Sequence, residues 1–169
     1  MRHSTRTVTT GAAIAALYTV LTYLQNFLLP NTTSGDVQLR VSEALCVLAL
    51  FTPAAIPGLT VGCFLSNIYN IGSLPLDVVF GTLASLAAAA GMWCSRKICV
   101  KGFPLLAMLL PALANGVIVG AELTICYQLP LVYTCAGVAL GEVAVLLTLG
   151  SALYYAIRGR TLERVLCEG

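Results

Sequence analysis

The residues of this chain that could bind or react are a few carboxylates and amides in otherwise apolar sequence. Residues 37–72, VQLRVSEALCVLALFTPAAIPGLTVGCFLSNIYNIG, are typical of membrane-buried sequence, yet they carry charged and amide side chains. An ionisable group inside a bilayer is costly unless it faces a partner or a wet cavity, so such groups predict a functional site. The candidates are Arg40, Glu43, Asn67, Asn70, Asp77, Asn115, Glu122 and Glu142.

Helical spacing places several of these side chains on shared faces, because residues three or seven apart lie on one side of a helix. The pairs are Arg40 with Glu43, Asn67 with Asn70, and Asn115 with Glu122. Three aromatic rings are expected at the same level, where a flat ligand could stack: Tyr69, Tyr127 and Tyr133. The pattern predicts an outward-facing pocket for a small planar ligand, neutral or cationic and rich in hydrogen-bond donors.

Each of these residues also has a simpler interpretation. Arg40 and Glu43 could form a local ion pair at the interface. Asp77 follows Pro75 at the predicted start of a helix, where negative charge complements the helix dipole. Tyrosines at helix ends are common interface anchors. Glu122 and Glu142 have no such explanation, since neither lies at a predicted terminus or beside a basic residue.

The elements that must position these groups are membrane helices. At 59% hydrophobic and 9% charged residues, the chain has too little polar surface for a soluble domain. A net charge of +2 does not suggest nucleic-acid binding. We predict an all-α membrane protein in which residues 1–169 form one domain of six transmembrane helices. They are 8–29, 40–52, 54–71, 74–93, 104–127 and 131–157, with breaks at turn or charge signals.

The second and third predicted helices are short for two full crossings. Residues 40–71 reach only about 48 Å as helix, whereas two crossings need about 60 Å. We therefore expect these helices to be short, tilted or re-entrant.

Basic residues set the expected orientation. All lysine and arginine residues except one fall on the same side of a six-crossing arrangement. The side of a membrane protein that carries most basic residues is cytoplasmic. Both termini are thus expected on the cytoplasmic side of a bacterial cell membrane. The basic set is Arg2, Arg6, Arg96, Lys97, Lys101, Arg158, Arg160 and Arg164, with Arg40 alone on the other side.

The seven cysteines show no CxxC pattern and no metal-ligand spacing with the single histidine, His3. Most are expected to be small apolar fillers, although Cys126 and Cys135 flank a short connection and could pair. A small intramembrane redox protein using Cys46, Cys63 or Cys135 is one alternative function. No cofactor or metal is expected.

Nucleotide-binding and hydrolase motifs are absent from the sequence, so the chain is not expected to be an enzyme or to hydrolyse ATP itself. Uphill transport would need an ion gradient or a partner. Small residues at Gly11, Ala12, Ala15 and Ala16 form a smooth patch on the first helix, where the packing could be internal or could receive another subunit.

The central sequence resembles a known family. The stretch LRVSEALCVLALFTPAAIPGLTVGCFLSNIY, followed by LPLDVVFGTLASLAAA, is similar to the queuosine-precursor transporter (QueT-like) family of S components of energy-coupling factor (ECF) transporters. Three ordered motifs carry the resemblance: Arg-x-Ser-Glu-Ala-Leu, Pro-x-Ala-Ile-x-Gly-Leu and Asp-x-x-x-Gly-Thr-Leu. The close match covers about residues 39–90.

The resemblance implies an S-component-like bundle that captures a 7-deazaguanine, such as the aminomethyl precursor or queuine, from outside. It also implies docking on a transmembrane coupling protein driven by two cytoplasmic ATPases. An Ala-x-x-x-Ala motif on the first helix of S components contacts that coupling protein, and Ala12 and Ala16 match it. An S component for another vitamin, such as riboflavin or thiamine, and a passive channel stay open as alternatives.

Overall fold

The computed structural model describes residues 2–30, 32–33, 38–69, 76–100 and 102–167. The described residues are helical and contain no β-strand. The elements are α1 (Arg2–Leu28), a 3₁₀ helix (Val41–Leu50), α2 (Ala55–Tyr69), α3 (Asp77–Ser95), α4 (Leu105–Tyr127), α5 (Leu131–Val145), a π-helical turn (Leu146–Gly150), α6 (Ser151–Ile157) and α7 (Thr161–Cys167).

The 3₁₀ helix lies at the centre of the molecule. It packs against α1 to α6 and against the π-helical turn, and eight of its ten residues are buried. Its polar side chains, Ser42 and Glu43, are buried as well, as expected for a segment enclosed by other helices. The main hydrophobic core is built around it and includes Leu45, Val47 and Leu48.

The long helices surround this centre in chain order, because α1 packs on α2, α2 on α3, α3 on α4 and α4 on α5. Glycines allow two close contacts between segments. A Cβ atom on Gly62 of α2 would lie 2.8 Å from the Cβ of Tyr18 of α1. A Cβ on Gly141 would overlap the carbonyl oxygen of Gln38, so α5 fits directly against the chain that leads into the 3₁₀ helix.

Side chains of α1 fix the register of the 3₁₀ helix. Gln25 accepts a hydrogen bond from the Val41 amide (2.8 Å), and Thr22 donates to Ser42 (2.8 Å). Gln25 thereby satisfies a donor at the start of the helix that has no partner within the helix itself. The two contacts hold the first residues of the 3₁₀ helix against α1.

Within the described ranges, four helical stretches are long and apolar enough to cross a membrane: Thr5–Leu28, Asp77–Ser95, Leu105–Tyr127 and Leu131–Ile157. Val41–Leu50 and Ala55–Ile68 are shorter apolar helices. At about 2.0 Å per residue, a ten-residue 3₁₀ helix is about 20 Å long, less than a bilayer core of about 30 Å. The expected shortness of the second and third helices is confirmed.

Several predicted boundaries need correction. The second helix is not the 40–52 α-helix expected, because Val41–Leu50 is wound with three residues per turn. α1 begins earlier than predicted, at Arg2, and α7 was not predicted at all. The segment 131–157 is continuous as expected, with a π-helical turn inside it.

Apolar side chains cover much of the outside, including Leu24, Phe64, Val117 and Leu140. Such a surface suits lipid and would be costly in water. The two ends of the described chain meet, because Arg6 near the start of α1 donates to the Val165 carbonyl oxygen of α7 (2.9 Å). They therefore lie on the same side of the molecule.

Candidate functional site

The chain leading into the 3₁₀ helix and the start of α3 bring Arg40 and Asp77 together. Arg40 Nη2 lies 4.0 Å from Asp77 Oδ1, and the two residues are 5% and 2% exposed. Arg40 Nε donates to the Thr33 carbonyl oxygen at 3.0 Å. Neither Arg40 Nη2 nor Asp77 Oδ1 has a hydrogen-bond partner among the described residues. Arg40 therefore pairs with Asp77 rather than with Glu43, and the pair retains unused hydrogen-bonding capacity.

Glu122 extends this pair from α4. Its side chain is fully buried, and neither carboxylate oxygen has a hydrogen-bond partner in the described part of the chain. It interacts electrostatically with Asp77 and Arg40, and its carboxyl group can form a hydrogen bond with the Asp77 carboxyl group when one of the two is protonated. A carboxylate buried without donors is unfavourable, so the arrangement favours a molecule that supplies those donors.

Glu43 is held differently. It lies on the 3₁₀ helix and is 1% exposed. The Tyr18 hydroxyl of α1 donates to one carboxylate oxygen, and the Cys46 thiol donates to the other at 3.1 Å. Three residues per turn place Cys46 directly one turn after Glu43, which explains that contact.

Glu142 and Asn115 form a second buried pair. Asn115 Nδ2 donates to Glu142 Oε1 at 2.8 Å, and the two residues are 3% and 2% exposed. Glu142 Oε2 has no partner among the described residues. The pair joins α4 to α5, and both residues are buried within the bundle.

The buried charges form one connected group. Glu142 interacts electrostatically with Glu43 and Arg40, and Arg40 also interacts with Asp77. We call the five residues Arg40, Glu43, Asp77, Glu122 and Glu142 the acid cluster. It holds four carboxyl groups and one guanidinium group. Acid in excess of base, away from water, suits a ligand that brings donors or positive charge.

The other predicted site residues have different positions. Asn67 is buried, but its Nδ2 donates to the Asp77 main-chain oxygen at 2.9 Å, which anchors α2 to the start of α3. Tyr127 and Tyr133 are 49% and 55% exposed, so their rings lie outside the buried cluster. The side chain of Tyr69 and all of Asn70 fall outside the described residues.

Sequence reasoning missed Tyr18, whose side chain is fully buried beside the cluster. The signal was present in α1. Tyr18, Thr22 and Gln25 share one helix face, and each bonds to the 3₁₀ helix. That polar stripe continues the line of small residues that begins at Gly11. The partners of the stripe could not be known before the central helix was located.

A groove of about 330 Å³ lies between the first half of α1 and α2. Ala12 lines it together with Ala15, whereas Ala16 is exposed on α1 and is not among the lining residues. Part of the predicted patch is therefore an open surface and part is internal packing. The lining residues are Thr7, Val8, Gly11, Ala12, Ala15, Pro57, Gly58 and Val61.

All seven cysteines are free, including Cys126 and Cys135, which the sequence left open as a pair. Within the described ranges, no group of three or more His, Cys, Asp or Glu residues could hold a metal ion. Cys46 and Cys63 are fully buried, and the Cys46 thiol serves as a hydrogen-bond donor to Glu43.

Sequence comparisons relate the chain to a family of transporters. A profile of the QueT transporter family matches residues 8–159. The queuosine precursor transporter QueT of Lactococcus lactis subsp. cremoris (strain MG1363) is 35% identical over 85 residues, which are 50% of this chain and 48% of that protein. The match thus spans about half of the relative's length. No solved structure matches the chain.

The family match covers most of the chain and includes every residue of the acid cluster. It identifies a transport protein rather than an enzyme, as the sequence predicted. Several apolar helices of membrane-spanning length accompany it, as expected for a multi-pass membrane protein. The chain belongs to the QueT transporter family.

Proposed function

We propose that this chain is the substrate-binding S component of an ECF importer and that its acid cluster captures a queuosine precursor from outside the cell. The observation that carries the proposal is Glu122, which is fully buried with both carboxylate oxygens unpartnered among the described residues. The name of the similar Lactococcus protein supports the choice of solute.

The chemistry of a 7-deazaguanine fits this carboxylate. Its ring N–H and exocyclic amine point in the same direction, and one carboxylate can accept both in a two-pronged hydrogen bond. Glu122 takes that role. Arg40 Nη2, which has no hydrogen-bond partner in the described structure, donates to the ring carbonyl oxygen in this proposal. Arg40 replaces the amides considered from sequence, because Asn67 and Asn115 already donate within the protein.

The other acids of the cluster determine which substituent on the 7-deazaguanine ring is preferred. An aminomethyl group is an ammonium at neutral pH, and Asp77 Oδ1 is a buried, unpartnered acceptor beside Glu122. We therefore expect 7-aminomethyl-7-deazaguanine or queuine, which both carry an amine, to bind more tightly than an uncharged analogue.

Energy for uptake comes from partners in this proposal. The groove between α1 and α2, with Ala12 on its wall, receives the transmembrane coupling protein, and two cytoplasmic ATPases drive the complex. Two facts support both termini being cytoplasmic in a six-crossing arrangement. Arg6 of α1 donates to the Val165 carbonyl oxygen of α7, and Arg158 donates to the Gly102 carbonyl oxygen at 2.5 Å. The start of α1, the chain before α4 and the segment 158–165 thus share one side, which carries Arg6 and Arg158.

Calorimetry on purified protein in detergent tests the binding role. We expect 7-aminomethyl-7-deazaguanine to bind the wild type, and Glu122→Gln to weaken binding by more than about tenfold, because an amide can accept only one of the two hydrogen bonds. Glu163→Gln is the matched control, since Glu163 is a half-buried acid on α7 and lies outside the acid cluster. Unchanged affinity in Glu122→Gln would remove Glu122 from the site.

The same experiment separates the rival solutes. Riboflavin and thiamine are added as competitors, and denaturing mass spectrometry of freshly purified protein identifies any small molecule that accompanies it. Displacement of the deazaguanine by thiamine at equal concentration would favour a thiamine transporter. A protein that neither carries nor binds any of these molecules would contradict the S-component role.

A further inference from the structure

The hydroxyl of Tyr18 forms a contact that the transport role does not by itself require. Tyr18 is fully buried on α1, and its hydroxyl donates to a carboxylate oxygen of Glu43. Cys46 donates to the other oxygen, but Cys46 belongs to the same 3₁₀ helix as Glu43. Tyr18 is thus the partner through which a different helix sets the direction of this acid.

The position of Tyr18 is itself closely fixed. A Cβ on Gly62 would lie 2.8 Å from the Tyr18 Cβ and 3.0 Å from the Ala15 carbonyl oxygen, so α1 and α2 touch at the backbone here. Thr19 of α1 also donates to the Gly62 carbonyl oxygen at 3.2 Å. With so little space between the helices, the backbone and Cβ of Tyr18 cannot shift without displacement of a helix, and full burial of the ring restricts its rotation.

Glu43 would have an alternative partner if Tyr18 did not hold it. Arg40 and Glu43 are one turn apart, since the Glu43 amide donates to the Arg40 carbonyl oxygen at 3.1 Å, and Arg40 Nη2 has no hydrogen-bond partner within the described residues. A carboxylate freed from Tyr18 would be drawn toward that guanidinium. The Arg40 donor would then be used within the protein and would no longer be available to a ligand.

We propose that Tyr18 is a positioning residue for substrate capture: its hydroxyl holds Glu43 away from Arg40, and so keeps Arg40 available to the ligand. This inference rests on the proposed function, because it assigns a second residue to the same site. It also connects that site to α1, whose other half lines the groove with Gly11, Ala12 and Ala15.

A double-mutant cycle tests the inference. Tyr18→Phe removes the hydroxyl and keeps the ring, and we expect it to weaken binding of 7-aminomethyl-7-deazaguanine by about tenfold in calorimetry. If Tyr18 acts through Glu43, Tyr18→Phe should have little further effect in a Glu43→Gln background. A purely structural role would give additive losses, which would overturn the inference.

The matched control is Tyr23→Phe, which removes a hydroxyl that also joins α1 to α2, through the Leu65 carbonyl oxygen (3.2 Å). We expect wild-type affinity from it. Melting temperatures of the wild type, Tyr18→Phe, Glu43→Gln and the double variant give a readout without ligand. In this readout, too, the effects of the two substitutions should be coupled.

The outcomes separate the two proposals. If the wild type binds no deazaguanine but the melting temperatures are coupled, the proposed function fails while Tyr18 still positions Glu43. If the wild type binds but Tyr18→Phe matches it, the positioning role alone is wrong. Uncoupled melting temperatures would also reject the positioning role.

Discussion

Glu43 and Glu122 are both buried acids in one cluster, but the protein treats them differently. Glu43 accepts hydrogen bonds from Tyr18 and Cys46, whereas Glu122 accepts none from the described residues. Glu43 lies on the central helix and Glu122 on the surrounding α4. A buried acid with two donors is stable by itself, and one without donors is stable only when something else supplies them.

This difference suggests that the two sides of the acid cluster have different roles in binding. The Glu43 side, with Tyr18 and Cys46, is prearranged by the protein, and Glu142 is half satisfied by Asn115. The Asp77 and Glu122 side retains unpartnered oxygens next to Arg40. A binding site needs both conditions, since fixed groups reduce the entropic cost of binding and unpaired groups provide affinity.

Replacement of Arg40 should have the largest effect, because Arg40 interacts with acids on both sides of the cluster. Arg40→Met would leave four buried carboxyl groups without their cation. We expect the free energy of unfolding to fall by about 3–5 kcal/mol, measured by thermal or denaturant unfolding in detergent. Arg160→Met, at an exposed position, should change it by less than about 0.5 kcal/mol. Equal effects of the two variants would mean that Arg40 does not neutralise the cluster.

Replacement of Glu43 or of Glu122 by glutamine tests the difference between these two acids directly. In Glu43→Gln an amide NH₂ replaces one acceptor, so the donor from Tyr18 or Cys46 loses its partner. We expect a loss of about 1–3 kcal/mol in the ligand-free protein. Glu122→Gln removes a buried charge that has no donors, so the stability of the ligand-free protein should be unchanged or higher while ligand binding is weakened.

Unfolding curves with and without 7-aminomethyl-7-deazaguanine separate these effects. The ligand should raise the melting temperature of the wild type, and raise it much less in Glu122→Gln. Should Glu122→Gln destabilise the ligand-free protein as much as Glu43→Gln does, the two acids would not differ as the geometry indicates.

That polar side chains of α4 share one face could be predicted from the periodicity of the α-helix. Asn115 and Glu122 are seven residues apart, which is about 20° from exact alignment on an α-helix. Both are buried on the inner side of α4. The helical segments between residues 8 and 157 could also be predicted, because long apolar runs and turn signals are local features.

Other parts of the site depend on tertiary contacts that no local pattern contains. The winding of Val41–Leu50 as a 3₁₀ helix brings Cys46 under Glu43, whereas an α-helix would offset them by about 60°. That winding accompanies burial by surrounding helices on every side. The role of Tyr18 likewise depends on which face of α1 meets the central helix.

The smallest expected effect concerns Tyr127, which the sequence placed in the pocket by its depth alone. Tyr127 is five residues after Glu122, or about 140° around the helix, and its ring is 49% exposed. A tyrosine at a helix end and facing outward is typical of an interface anchor. We expect Tyr127→Ala to change the affinity for 7-aminomethyl-7-deazaguanine less than about twofold in calorimetry, because the ring does not reach the buried acids. A tenfold loss with an unchanged melting temperature would instead show that the ligand extends past Glu122 to the end of α4, and the boundary drawn around the acid cluster would have to move outward.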